Sequence, residues 1–186
     1  MQNLLPTLNT SFAVAKEVAM VTELNSNFSL FNIEENIKPT QLFNTYILLP
    51  DADRLLLVHQ QAAHERVIYE RLKQALNGKS IPTQRSLFPV TIELAATDAV
   101  LLSELLSDLQ QIGYTIEPFG KNIFVIQGTP ADINLDNPKH VLEKILEQYK
   151  HFNSELKVSK REMLIRSVAW QHSIKPGAPL EEQEMK

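Results

Sequence analysis

The chain has 186 residues, of which 44% are hydrophobic and 22% charged, and it contains no cysteine. This length predicts one domain or two small lobes with a real core. The missing thiols exclude disulfides, thiolate metal sites and a cysteine nucleophile. The net charge of −4 argues against a module that binds DNA mainly through its phosphates, and no apolar run is long enough to span a membrane.

The first part of the chain predicts a linker followed by a β-hairpin and a helix. Residues 1–38 are rich in asparagine and predict a partly disordered linker with a short helix. Leu42–Leu49 and Arg54–His59 have strand composition, and a turn of four residues between them predicts an antiparallel hairpin. Apolar residues at helical spacing predict a helix over Gln61–Leu76, which ends at Asn77 and Gly78.

The middle of the chain predicts a small α+β unit. The segment Pro82–Pro89 interrupts the pattern, and Val90–Ala95 then predicts a strand. A helix follows from Thr97 to Gly113, and two short strands follow between Tyr114 and Pro130. The continuous apolar run Ile123–Ile126 predicts that the second of these strands is central.

Two helices complete the predicted order of elements. Pro138 stands at the first position of one helix, and Ser159 with Glu162 forms a capping box for the other. The order β-β-α, β-α-β-β-α, α predicts an α+β fold of two lobes. The middle block forms one lobe, and the hairpin and helices from both ends form a discontinuous second lobe.

A polar cluster lies where the second strand meets the first helix. His59, His64 and Glu65 are residue types that bind Zn²⁺ or Mn²⁺. On a helix, however, His64 and Glu65 would point about 100° apart, and Glu65 and Glu70 would not share a face. The spacing alone leaves two alternatives: a metal site, or a solvated helix start with internal ion pairs.

Both ends of the chain resemble one known family. Gln41–Leu48 and Leu55–Glu70 are similar to the motifs Q-x-x-x-T-Y-I-L and D-Q-H-A-A-H-E-R-x-x-Y-E of the C-terminal dimerisation domain of the DNA mismatch-repair protein MutL. Ala169–Gly177 is similar to its A-C-x-x-A-I-K-A-G motif, and Leu180–Met185 to its L-x-x-x-E-M. The resemblance therefore runs from about residue 39 to the end of the sequence.

The resemblance implies an organisation and a set of partners. Residues 39–78 and 156–186 would form a dimerisation lobe, and residues 79–155 an external, regulatory lobe. The chain would be a cytoplasmic homodimer from a bacterium, without a membrane contact. Its partners would be the sliding clamp, the mismatch-recognition protein MutS through the full-length protein, and weakly DNA. It would need no cofactor, because ATP and Mg²⁺ belong to an N-terminal ATPase domain, and no glycine-rich phosphate-binding motif is present here.

Two surfaces are candidates for these contacts. For the dimer interface the resemblance favours the first hairpin, with Leu42, Tyr46 and Leu48 as the proposed contacts. The apolar stripe of the last helix is either part of this interface or ordinary core; its members are Leu164, Val168 and Trp170. For DNA, four basic residues either make weak contacts or form a solvated helix face; these are Lys157, Lys160, Arg161 and Arg166.

The family's nicking motif, D-Q-H-A-x-x-E-x-x-x-x-E, is degenerate in this chain. His59 replaces its aspartate and Gln61 its histidine, whereas Glu65 and Glu70 are retained. Trp170 replaces the cysteine of the second motif, and the family's C-P-H-G-R-P motif does not occur in these 186 residues, which either lack it or end before it. A two-metal site needs carboxylates to neutralise its cations. We therefore predict a domain without nuclease activity; the alternative is an active metal-dependent endonuclease that uses His59, Glu65 and Glu70.

A short motif at the entry to the middle block is a candidate partner site. Gln84, Leu87, Phe88 and Pro89 are similar to the bacterial clamp-binding motif Q-x-x-L-F and to the family's Q-x-x-L-x-P. An extended segment of this kind can insert its apolar side chains into a groove of a partner. The alternative is an edge strand in which Leu87 and Phe88 belong to the core.

Overall fold

The computed structural model describes residues 38–51, 54–131, 137–155 and 158–185. These ranges contain six strands and four helices, which confirms the α+β class. In chain order the elements are β1 (Thr40–Leu42), β2 (Tyr46–Asp51), β3 (Arg54–His59), α1 (Gln60–Leu76), β4 (Thr83–Glu93), α2 (Ala96–Gln111), β5 (Thr115–Gly120), β6 (Ile123–Pro130), α3 (Pro138–Glu155) and α4 (Lys160–His172). The predicted linker helix lies outside the described residues. None of the described helices has the length and apolar character needed to cross a membrane.

The first sheet is an antiparallel meander in the order β1-β2-β3. The predicted hairpin is confirmed, with Tyr46 opposite His59 and Asp51 opposite Arg54. The prediction of one strand over Leu42–Leu49 was wrong, because this segment is divided into β1 and β2. Phe43 and Asn44 have φ angles of 53° and 48°, in the left-handed region, and so turn the chain back on itself.

The second sheet has the order β4-β6-β5, so the predicted central position of Ile123–Ile126 is confirmed. Alternate residues of β6 are buried, as expected for a strand that packs one face on helices. The prediction that Pro82–Pro89 interrupts regular structure was wrong in part, because Thr83 already begins the long strand β4. Pro89 is tolerated there because it lies in an irregular part of an edge strand.

One hydrophobic cluster joins all four helices to the second sheet. Its fully buried members include Leu102 in α2, Ile145 in α3 and Leu164 and Val168 in α4. Leu164 and Val168 are therefore core residues and not part of a dimer surface, whereas Trp170, the third member of the predicted stripe, is half-buried. Among the described residues, no member of this cluster comes from β1, β2 or β3. The first sheet thus makes its own, separate contacts.

The predicted cap of the last helix is confirmed, but only one half of its capping box forms. The Ser159 hydroxyl accepts a hydrogen bond from the Glu162 amide at 3.2 Å. The Glu162 carboxylate instead accepts hydrogen bonds from the Tyr69 hydroxyl at 3.0 Å and from Arg166 at 2.7 Å. This residue therefore connects α4 to α1, which packs beside it.

Candidate functional site

The polar cluster lies where β3 ends and α1 begins. His59 is the N-cap of α1, and its Nδ1 accepts a hydrogen bond from the Ala62 amide at 3.3 Å. Its ring stands edge-on to Tyr46, with 5.4 Å between the ring centroids. The side chain predicted to replace the aspartate of the nicking motif is thus used as a helix cap.

The other three residues compared with the nicking motif are Gln61, Glu65 and Glu70. Glu70 forms an ion pair with Arg66, one helical turn away, at 2.6 Å. Gln61 and Glu65 are half-buried. Throughout the four described ranges, no three His, Asp or Glu side chains lie close enough together to hold a metal ion.

Glu65 is the most perturbed carboxyl group of this junction. Burial raises its pKa, and the positive charges of Lys175 and Arg166 partly offset that rise. Burial in turn lowers the pKa of Lys175, which Glu65 partly restores. The two side chains thus are partly desolvated groups of opposite charge, and each favours the charged form of the other.

Trp170 is the residue predicted to replace the family's cysteine, and Lys175 packs over its ring. The Lys175 ammonium lies 4.0 Å from the centroid of the Trp170 ring and also donates a hydrogen bond to the Trp170 carbonyl. Such a cation over an indole is an attractive contact. Together with the partial burial of Trp170, it places a bulky ring near the end of α4 and a fixed cation on the segment that follows this helix.

The segment after α4 is tied across the junction by side-chain amides. Gln60 is only 2% exposed, and its side chain accepts a hydrogen bond from Gln41 at 2.7 Å and donates to the Ala178 carbonyl at 3.2 Å. Gln41 also donates to Ala178 and accepts from the Leu180 amide. Residue type alone does not predict that these two glutamines bind the segment after α4. The signal was present, because both lie inside the family-like motifs.

His64 holds the same segment from the helix. Its Nδ1 accepts a hydrogen bond from the Ile174 amide at 3.0 Å. Burial lowers the pKa of His64, which favours the neutral ring that this acceptor role requires. His64, predicted as a candidate metal ligand, therefore serves as a structural contact.

The clamp-like motif forms an exposed bulge in β4. Arg85 pairs with Gly128 and Val90 pairs with Ile126, so four residues of β4 stand opposite one residue of β6. Leu87 and Phe88 within this bulge are 91% and 82% exposed. The alternative in which these two side chains belong to the core is therefore wrong.

A glycine in the neighbouring strand lies beneath the base of this bulge. A Cβ atom at Gly128 would lie 2.9 Å from the Gln84 carbonyl oxygen and 2.5 Å from a Thr83 methyl group. Both distances are too short for ordinary contacts. Any larger residue at this position would push the start of the bulge away from β6.

The first sheet carries an exposed apolar face. The strand register places Leu42 opposite Tyr46 and Leu48 opposite Leu57, so these side chains share one face. Leu55 lies two residues from Leu57 on the same face, and the two are 61% and 57% exposed. All three residues predicted for the dimer interface are thus brought together with two further leucines.

The basic residues considered for DNA binding are mostly paired with acidic side chains. Lys160 and Arg161 form ion pairs with Glu104 and Asp108 of α2, at 2.5 and 3.1 Å. Arg166 pairs with Glu162 in its own helix. Lys157 lies outside the described residues. The alternative of a solvated helix face fits these three pairs better than a continuous basic patch does.

Comparison with known proteins connects these features to a family. The model of the MutL C terminal dimerisation domain matches residues 40–180. A DNA mismatch repair protein MutL from Chloroherpeton thalassium is 33% identical over 145 residues, which are 78% of this chain and 23% of that protein. A MutL from Chlorobium phaeobacteroides is 32% identical over 153 residues, 82% of this chain and 24% of that protein.

This chain thus spans about a quarter of the length of those relatives. The family match covers both sheets and all four helices. It includes the junction, the exposed bulge and the apolar face of the first sheet. The chain belongs to the MutL C terminal dimerisation domain family.

Proposed function

We propose that this domain holds two copies of a MutL-type mismatch-repair protein together and recruits partner proteins, without nicking DNA itself. The exposed apolar face of the first sheet is the observation that carries this proposal. Two leucines more than half exposed on a regular sheet are the kind of surface that an obligate dimer buries. The family's own description names dimerisation.

The opposite face of the same sheet is covered by the chain itself. Ile47 on that face is buried, and Gln41 there binds the segment that follows α4. The face that carries Leu55 and Leu57 is therefore the free one. In a two-fold symmetric dimer the same patch from each subunit would meet, and Leu42, Tyr46 and Leu48 would lie in the contact.

The proposal that the domain does not nick DNA rests on how the motif side chains are used. The His59 nitrogen caps α1, Glu70 is paired with Arg66, and Glu65 faces the positive charge of Lys175. A divalent cation would have to displace these contacts and approach an ammonium group. Glu70 thus has a structural partner, and the positive charges near Glu65 oppose the approach of a cation.

We expect the purified protein to leave supercoiled plasmid intact in the presence of Mn²⁺, within the background of the assay. The matched control is the Glu65→Ala variant, which removes one of the two carboxylates retained from the motif. Parent and variant should give the same trace of nicked circles on an agarose gel. Strong Mn²⁺-dependent nicking by the parent that Glu65→Ala abolishes would favour the active endonuclease instead.

We also propose that the bulge of β4 binds the bacterial sliding clamp. Its two apolar side chains are exposed together, and Gln84 precedes them on the same strand. Exposed adjacent Leu and Phe side chains are costly to leave in water unless a partner covers them. A groove that accepts the Leu87 and Phe88 side chains together would gain most of its binding energy from them.

Replacing Gln84 and Phe88 together by alanine should weaken clamp binding about 100-fold, because an aromatic anchor can contribute about 2 kcal/mol and an anchoring hydrogen bond about 1 kcal/mol more. Surface plasmon resonance with immobilised clamp measures this. The control is Phe119→Ala, which removes an equally large side chain, 74% exposed, from β5 of the same sheet. Unchanged binding by the double variant would contradict the proposed site.

Other partners belong to the proposal for the whole protein. The ATPase, with its ATP and Mg²⁺, would lie in the larger part of the relatives' length, and MutS would be reached through that full-length protein. DNA contact by this domain would be weak, since the net charge is −4 and the cations of α4 are paired.

A further inference from the structure

The bulge of β4 has a hydrogen-bonded turn of its own. The Ser86 hydroxyl donates to the Phe88 carbonyl at 2.8 Å and accepts from the Phe88 amide at 3.2 Å. One side chain therefore satisfies both backbone groups of the residue that carries the exposed ring. Such side-chain turns replace the ladder hydrogen bonds that a strand residue would otherwise make.

This turn restricts how a partner can bind. β4 is an edge strand, and an edge normally invites a partner to add a further strand through backbone hydrogen bonds. Here the amide and carbonyl of Phe88 are already used, and Pro89 has no N–H to donate. The bulge therefore offers side chains to a partner and not a continuous backbone edge.

We infer that Ser86 is a positioning residue: it holds the bulge in shape, so that the clamp recognises the Leu87 and Phe88 side chains and does not add a strand to β4. This inference rests on the proposed clamp-binding function. Pre-formed loops bind more tightly than flexible ones because less conformational freedom is lost on binding. Gly128 supports the same shape from below, since it lets the start of the bulge lie close to β6.

The test is a calorimetric titration of purified sliding clamp with the 186-residue protein. Ser86→Ala should weaken binding about three- to tenfold, as expected for the loss of one or two exposed hydrogen bonds. Ser86→Thr keeps the hydroxyl and should bind within about twofold of the parent. The control is Ser103→Ala, which removes a serine hydroxyl bonded to the Ala99 carbonyl in α2 and should change nothing.

Hydrogen exchange in the 186-residue chain separates positioning from direct contact. The Phe88 amide should exchange its hydrogen faster in Ser86→Ala than in the parent, because its acceptor is lost. If Ser86→Ala weakens clamp binding while the Phe88 amide exchanges as it does in the parent, Ser86 contacts the clamp directly, and the inference is overturned.

The outcomes also separate this inference from the function it rests on. If Phe88→Ala abolishes clamp binding while Ser86→Ala binds like the parent, the clamp site stands and the positioning role is wrong. If Phe88→Ala binds like the parent, the clamp site itself is wrong. If Ser86→Ala binds weakly and Ser86→Thr does not restore binding, the hydroxyl turn is not the cause and the inference fails.

Discussion

Leu57→Glu is expected to convert the proposed dimer into a folded monomer. Leu57 lies on the free face of the first sheet, opposite Leu48 of β2. In a symmetric interface the substitution places two carboxylates in a contact that excludes water, and each must be desolvated without a partner. The dissociation constant should rise at least about 1,000-fold, the effect of roughly 4 kcal/mol.

The monomer should keep its fold because the main hydrophobic cluster draws on the second sheet and the four helices. Light scattering after size exclusion gives the mass, and circular dichroism reports the retained structure. Val100→Glu is the matched control, since Val100 in α2 is 62% exposed and Leu57 is 57% exposed. A Leu57→Glu protein that keeps the mass of a dimer would exclude this face as the interface, and a parent protein of monomer mass at micromolar concentration would contradict the proposed dimer itself.

The second large effect expected is a loss of stability below pH 6.5 that depends on His172. Its Nε2 lies 2.6 Å from the Tyr114 hydroxyl, a contact between α4 and the turn before β5. Burial raises the pKa of Tyr114 far above its usual range, so the phenol keeps its proton and donates it. His172 must accept this bond as a neutral ring, and burial, with Lys175 nearby, lowers its pKa to about 4.

The direction of this change in stability follows from proton binding to the folded and the unfolded chain. Between pH 6.5 and about 4 the unfolded chain binds a proton at His172 that the folded chain does not. The stabilisation is therefore complete above pH 6.5 and is lost as the pH falls through this window. Between pH 7 and pH 4.5 the loss amounts to about 2 kcal/mol. His64, whose pKa is also lowered, contributes in the same direction.

Urea unfolding at both pH values, at one fixed protein concentration, measures this difference. His172→Gln retains an acceptor for Tyr114 but does not titrate, so it should lose less stability on acidification than the parent. The control is His140→Gln on the exposed start of α3, whose side chain is 60% exposed. It should keep the full pH dependence. An equal loss in His172→Gln and in the parent would rule out His172 as the cause.

Local patterns were enough to predict most of the elements. Repeated apolar residues at helical spacing predicted α1 and α2, and Ser159 predicted the start of α4. These signals act within one or two turns of chain, so they need no knowledge of distant partners. The two strand errors arose where conformation depended on more than composition. Phe43 and Asn44 have strand-like neighbours but adopt left-handed φ angles.

The candidate site likewise has some features that residue types predict and others that depend on distant contacts. The motif alone was enough to predict that His59 and Gln61 are degenerate positions, because both are departures in residue type. That His59 caps a helix and His64 holds Ile174 required the fold, since a side chain's partner depends on where the chain brings it. Gln60 was overlooked because a polar residue is normally exposed, and here its partners lie up to 118 residues away.

The sequence by itself determined the family resemblance, the helix boundaries and the absence of thiol chemistry, because each follows from residue types read in order. The tertiary structure alone decided which apolar residues are exposed to solvent. Leu164 and Leu57 are alike in sequence, but the first is buried among helices and the second faces solvent on a sheet that the main cluster does not cover. The exposure of Leu87 was decided in the same way, by the slip of β4 against β6. Burial depends on which distant segments pack together, and no local pattern specifies those contacts.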